Sequence, residues 1–160
     1  MKFFLKGAFA VIFTFSLSSV SAYEQKQCMR GIDSVMNSSV SLGGASMQMS
    51  TTLMSLLNSG IDTDDATVRH LLSATEMTDA ALSSAGVIST LRQLGSYKQI
   101  ENIDKLVNLQ FQSFYNNIKY ARGQFTRFTG ALKNPSLKEQ AFEISQRLEK
   151  ISKLVSACEK

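Results

Sequence analysis

The chain has 160 residues, with 17 Lys plus Arg against 13 Asp plus Glu, one histidine, two cysteines and no tryptophan. A single histidine excludes multi-histidine metal and haem sites. The small basic excess excludes bulk nucleic-acid binding as the main activity, which needs a basic stripe or patch of far larger charge.

The first element is an address. Lys2 and Lys6 precede an apolar run from Gly7 to Val20, and Val20 and Ala22 occupy the minus-three and minus-one places before Tyr23. This is the layout of a cleaved secretory signal peptide over residues 1–22. The run is shorter than the roughly 20 residues needed to span a bilayer, and no second such run follows. The expected mature chain, residues 23–160, is one domain with no transmembrane segment, periplasmic or secreted. Without Lys2 and Lys6 it carries 15 basic groups against 13 acidic ones. The acidic excess lies in residues 23–95 and the basic excess in residues 96–160.

From there the apolar spacing is helical throughout. A first helix is predicted over 24–58. Cys28, Ile32, Val35, Leu42, Met49, Leu53 and Leu56 form one stripe, and Met29, Met36, Val40, Met47, Met54 and Leu57 form a second beside it. Gly43-Gly44 is its weak point, each glycine costing about 1 kcal/mol relative to alanine; a break in the helix would fall there. "NSGIDTDD" reads as a turn, with Asp62 or Thr63 capping a second helix over 64–94. That helix has a thin apolar face from Val68 to Leu91 and much Ser, Thr and Ala. Gly95 is expected to end it and Ser96 to cap a third helix over 97–133. Ile100, Ile103, Val107, Phe111, Phe114, Ile118, Ala121, Phe125, Phe128 and Leu132 keep three-four spacing through that third helix, a period no strand produces. "KNPS" breaks it, since residues before proline avoid helical geometry. A fourth helix follows over 136–158 on Leu137, Ala141, Ile144, Leu148, Ile151, Val155 and Cys158.

Four helices joined by short turns predict an all-α, up-down-up-down four-helix bundle. That topology brings the start of the first helix and the end of the fourth to one end of the bundle. Cys28 and Cys158 are therefore expected to form a disulfide in an oxidising compartment. Small residues in helices one and two are expected to receive Phe111, Phe114 and Ile118 of helix three.

Catalytic patterns fail. "DTDD" lacks the glycine and the bidentate glutamate of a calcium loop. Glu143 with Arg147, and Glu149 with Lys153, have the spacing of surface ion pairs. Serines are abundant without a nucleophile elbow. His70, beside Leu71, is expected at the core edge or in solvent. The expectation is no enzyme, no cofactor and no metal.

Two surfaces remain. Lys105 to Lys138 contains no acidic residue, and interleaves basic residues with aromatics. Tyr115, Lys119, Tyr120, Arg122 and Arg127 are the candidate contact residues, because Tyr and Arg dominate binding hot spots. Arg122 and Arg127 are the expected anchors. The second surface is a methionine groove of Met29, Met36, Met47 and Met54, adaptable to apolar clients. The leading expectation is an exported helical binding protein that occludes a partner, as an inhibitor or immunity-type factor does. Its partner would be a protein with an acidic surface or an anionic envelope component, not nucleic acid. The alternatives are a carrier or chaperone using the methionine groove, and a structural subunit of an envelope or secretion assembly. A homodimer through the first helix is a further arrangement open to it.

Overall fold

Each of the four apolar stripes becomes a helix. The computed structural model describes residues 22–59, 65–97 and 102–156, and side chains throughout these except at residues 22–28, 38 and 97. Helix α1 spans Ala22–Ser59, α2 Asp65–Tyr97, α3 Ile103–Phe128 and α4 Pro135–Val155, with a 3-10 turn at Thr129–Ala131. The described residues include no strand. The expected signal peptide, the turn at 60–64, Ile100 and Cys158 lie outside them.

The buried side chains are those that periodicity selected. In α4, Leu137, Ala141, Ile144, Leu148, Ile151 and Val155 are all buried. In α3 the inward row is Phe111, Phe114, Ile118, Ala121 and Phe125. α2 contributes small residues, among them Ala74, Ala81 and Ala85, together with buried hydroxyls. Those hydroxyls are satisfied within the helix: Thr75 donates to the Leu72 carbonyl at 2.7 Å, Thr78 to Ala74 at 2.8 Å and Ser84 to Ala80 at 3.0 Å. Back-bonding of this kind lets a Ser- and Thr-rich helix face a core without an orphaned polar group.

Each helix packs on its neighbours in chain order, and α4 packs at least as extensively on α1 as on α3. Contacting numbers rise along one helix as they fall along the next. Asp33 meets Arg92, and further along α1 Ser46 donates to the Thr75 carbonyl. Phe128 stacks on His70. Thr126 lies by Ser145, and Arg122 by Glu149.

The structure answers the open question at Gly43-Gly44 and moves the junction of α2 and α3. α1 runs unbroken through Gly43-Gly44. Leu42 and Ser46 on either side are buried, and a Cβ on Gly43 would stand 3.4 Å from Leu82 Cδ1. Tertiary packing there outweighs the propensity cost. α2 continues through Gly95 to Tyr97, and α3 starts only at Ile103. Asn102 sets that start with φ 65, a left-handed backbone that asparagine tolerates. Its carbonyl accepts the first α3 bond from Leu106 N. At the other end α3 tightens into the 3-10 turn ahead of Pro135. Asn134 then caps α4, its Oδ1 accepting from Ser136 N at 3.0 Å and Leu137 N at 3.2 Å.

Gly31 marks a close approach of α1 to α4. A Cβ there would stand 2.9 Å from the Leu154 carbonyl oxygen. At Gly44 a Cβ would meet nothing within 4 Å. Gly31→Ala is therefore expected to destabilise by about 1 to 3 kcal/mol through overpacking, and Gly44→Ala to stabilise by up to about 1 kcal/mol through helix propensity. Urea titration of the two variants checks both signs. Equal shifts would mean that α1 and α4 do not meet at Gly31.

Candidate functional site

With the phenylalanine row turned inward, the residues of α3 between those positions must face sideways or outward. The five predicted contact residues fall into two rows. Tyr115, Lys119 and Arg122 follow one another at helical spacing toward α4. Tyr120 and Arg127, seven residues apart, run along the other flank toward α2.

Two members of the α4-side row, Arg122 and Tyr115, are engaged within the molecule. Arg122 Nη1 lies 3.0 Å from Glu149 Oε2 and donates to Ser152 Oγ at 3.2 Å. Glu149 also receives Lys153 Nζ at 3.2 Å. Arg122 thus lies at the seam between α3 and α4, paired within the molecule while its side chain stays 40% exposed. The physical reason is a long side chain beside a carboxylate on a neighbouring helix, which single-helix periodicity does not reveal. Tyr115 is half-buried and packs against the core. Lys119 stays exposed, its Nζ 6.0 Å from the Tyr115 ring centre, at the limit of cation–π range.

The α2-side row looks outward. The Tyr120 hydroxyl stands 3.4 Å from Ser73 Oγ of α2. The Arg127 guanidinium carbon is 5.3 Å from the Phe128 ring centre. On that same ring His70 stacks with centroids 4.2 Å apart and planes 8° apart. Arg127, Phe128 and His70 form a cation–aromatic cluster bridging α2 and α3, two of its members exposed. Sequence reasoning assigned Phe128 to the core and left His70 alone. Phe128 does pack against the core; the missed signal is that His70, one residue off Leu71, lies on the flank of α2 that faces it. Among the described residues Arg69, Lys105, Lys119 and Arg127 form no ion pair with a carboxylate.

The predicted methionine stripe divides. Met29 and Met36 are half-buried against the core. Val40, Met47 and Met54 are 86%, 70% and 51% exposed, a row at seven-residue spacing. This row lies in a stretch, residues 34–61, without a charged residue. Met49, on the other stripe, is buried.

The pairs Glu143–Arg147 and Glu149–Lys153 form as their spacing predicts, at 3.9 and 3.2 Å. A shallow open depression of about 450 Å³ lies beside them, lined by Thr126, Ser145, Gln146, Glu149, Lys150 and Lys153. Among the described residues no three His, Cys, Asp or Glu side chains group as a metal site, and no helix is long and apolar enough to cross a membrane.

Compared with protein-family models, with curated proteins and with solved structures, the chain matches none.

Proposed function

We propose that this chain is an exported helical binding protein that acts without catalysis, by covering an acidic surface of a protein partner. The observation that carries this reading is the outward surface of α3. Lys105 to Lys138 holds no acidic residue, and within it Lys105, Lys119 and Arg127 remain without a carboxylate partner among the described residues. Unpaired cations beside exposed aromatics match the composition of binding hot spots. Opposite charge on the partner would speed encounter and set register.

In this reading residues 1–22 are removed on export and the mature bundle is up-down-up-down. Its ends are joined by a Cys28–Cys158 disulfide formed in an oxidising compartment. The close pass of Gly31 on Leu154 supports that bond. Cys28 lies one turn before Gly31 in α1, and Cys158 follows Leu154 by four residues in the sequence. The side chain of Cys28 and all of Cys158 lie outside the described residues.

The test is charge reversal. Lys119→Glu with Arg127→Glu is expected to weaken partner capture at least tenfold and to flatten its salt dependence, while the melting temperature stays within about 2 °C. Unchanged capture by that folded variant would remove the basic surface from the account.

The exposed row of Val40, Met47 and Met54 favours a second reading, a carrier for an apolar client. It predicts hydrophobic-dye binding by the native protein, abolished by Met47→Asp. A dye-silent native state would dismiss it.

A further inference from the structure

The outer surface where α2 meets α3 has a pattern of its own. On α2, Ser73, Ala80, Val87 and Leu94 recur every seven residues; on α3, Leu106, Ser113, Tyr120 and Arg127 do the same. Seven residues are nearly two turns, so each set runs along one side of its helix. The Ser73–Tyr120 contact at 3.4 Å lays the two rows next to each other. The helices run in opposite directions, so equal steps from that contact bring Val87 opposite Leu106.

The resulting face has two unlike ends. At one end Val87, Leu94, Leu106 and Leu109 are 43 to 54% exposed, none belonging to the buried rows. At the other end stand Arg127 and Arg69, with the His70–Phe128 stack between their helices. Asp65 and Glu76 share α2 with Arg69, which makes no ion pair with either. Between the ends the surface is small and polar, with Ala80, Ser83, Ser113 and Asn116 and one exposed carboxylate, Glu76 of α2.

We infer that this face docks an amphipathic helical segment of the partner, its apolar residues on the Val87–Leu106 end and its acidic residues at Arg127 and Arg69. This rests on the binding-protein reading and names where and by what chemistry the partner sits. Helix-on-face recognition reads apolar positions at turn spacing, which this patch offers. Charge chooses the occupant. Among the described residues a second copy of this face would bring Asp65 and Glu76 of α2 as carboxylates, fewer than an acidic segment would bring to the cationic α3 end. An acidic segment complements it.

The test is site-specific photo-crosslinking of the full chain in the cells that make it. A photoreactive phenylalanine is placed at 87, 106 or 109, and at 47 on α1 as a comparison. The expected result is an adduct with one and the same protein from 87, 106 and 109. Its cross-linked segment should carry acidic residues and a helical apolar stripe. Arg69→Glu with Arg127→Glu should lower the yield at least tenfold. A synthetic peptide of that segment should compete, and the same peptide with Asp and Glu changed to Asn and Gln should compete at least tenfold less. Adducts from 47 alone would overturn the docking face, and the binding-protein reading would then stand or fall on the separate Lys119→Glu, Arg127→Glu capture test. Adducts from none of the positions would overturn both. Adducts at 87, 106 and 109 with lipid, with a second copy, or with residues 7–20 of the same chain would show a different occupant and overturn the proposal.

Discussion

Phe114→Ala is expected to lower stability by about 3 to 5 kcal/mol, the range for truncating a buried phenylalanine. Phe114 is fully buried, and its ring centre lies 6.0 Å from that of Phe111 in a tilted pair. The α2 core positions include Ala74, Ala81 and Ala85, whose short side chains cannot extend into the space the ring leaves. The cavity term therefore adds nearly in full to the lost transfer energy. A melting-temperature fall on the order of 10 °C follows for a chain of this size. Phe142→Ala is the matched control: Phe142 is 56% exposed, and its loss is expected within about 0.5 kcal/mol. Equal losses at both positions would mean that α3 does not turn Phe114 inward.

Cys28→Ser is expected to have an effect of comparable size. If the bond forms as proposed, it closes a loop of roughly 130 residues, worth about 4 to 5 kcal/mol on the loop-entropy model. Gly31 is the physical support, because its backbone approach to Leu154 leaves no side chain to hold α1 and α4 apart there. Urea unfolding of the exported protein with and without reductant checks this. Reductant should shift the wild-type midpoint downward and leave Cys28→Ser and Cys158→Ser unmoved, all three converging. A wild-type curve indifferent to reductant, with free thiols titrating in the folded protein, would contradict the bond.

The parts of the fold that were legible in the sequence are those set within one helix. The rows Phe111 to Phe125 and Leu137 to Val155 needed only a count of three-four steps, and both are buried as read. Pro135 carries the start of α4 in its own chemistry. What escaped depends on a second helix. Gly43-Gly44 looked breakable until α2 was placed against it through Leu82. Arg122 looked free until Glu149 and Ser152 arrived from α4. Periodicity orients a helix toward the core but does not say which neighbour covers each flank. For that reason the methionine stripe divided and the basic face became two rows. The start of α3 was missed because a left-handed Asn102 is a choice of single-residue backbone geometry, and the glycine and serine upstream gave a stronger but misleading stop-and-start signal.

The charge-free stretch from residue 34 to 61 and the acid-free stretch from Lys105 to Lys138 divide the surface between two kinds of contact. The first suits apolar clients and the second an acidic one. Arg127 decides between them in this account, since it is exposed, lies against Phe128 and forms no ion pair among the described residues. An interaction led by such a group is expected to weaken with salt, whereas a methionine-led interaction is expected to persist.

The measurement that bears most directly on the binding-protein reading is brief cross-linking of tagged residues 23–160 in their native compartment, followed by mass spectrometry at low and high salt. One stoichiometric protein, cross-linked through an acidic surface and lost at high salt, is the predicted result. Recovery of lipid, of mixed unfolded clients or of the chain itself, insensitive to salt, would contradict it.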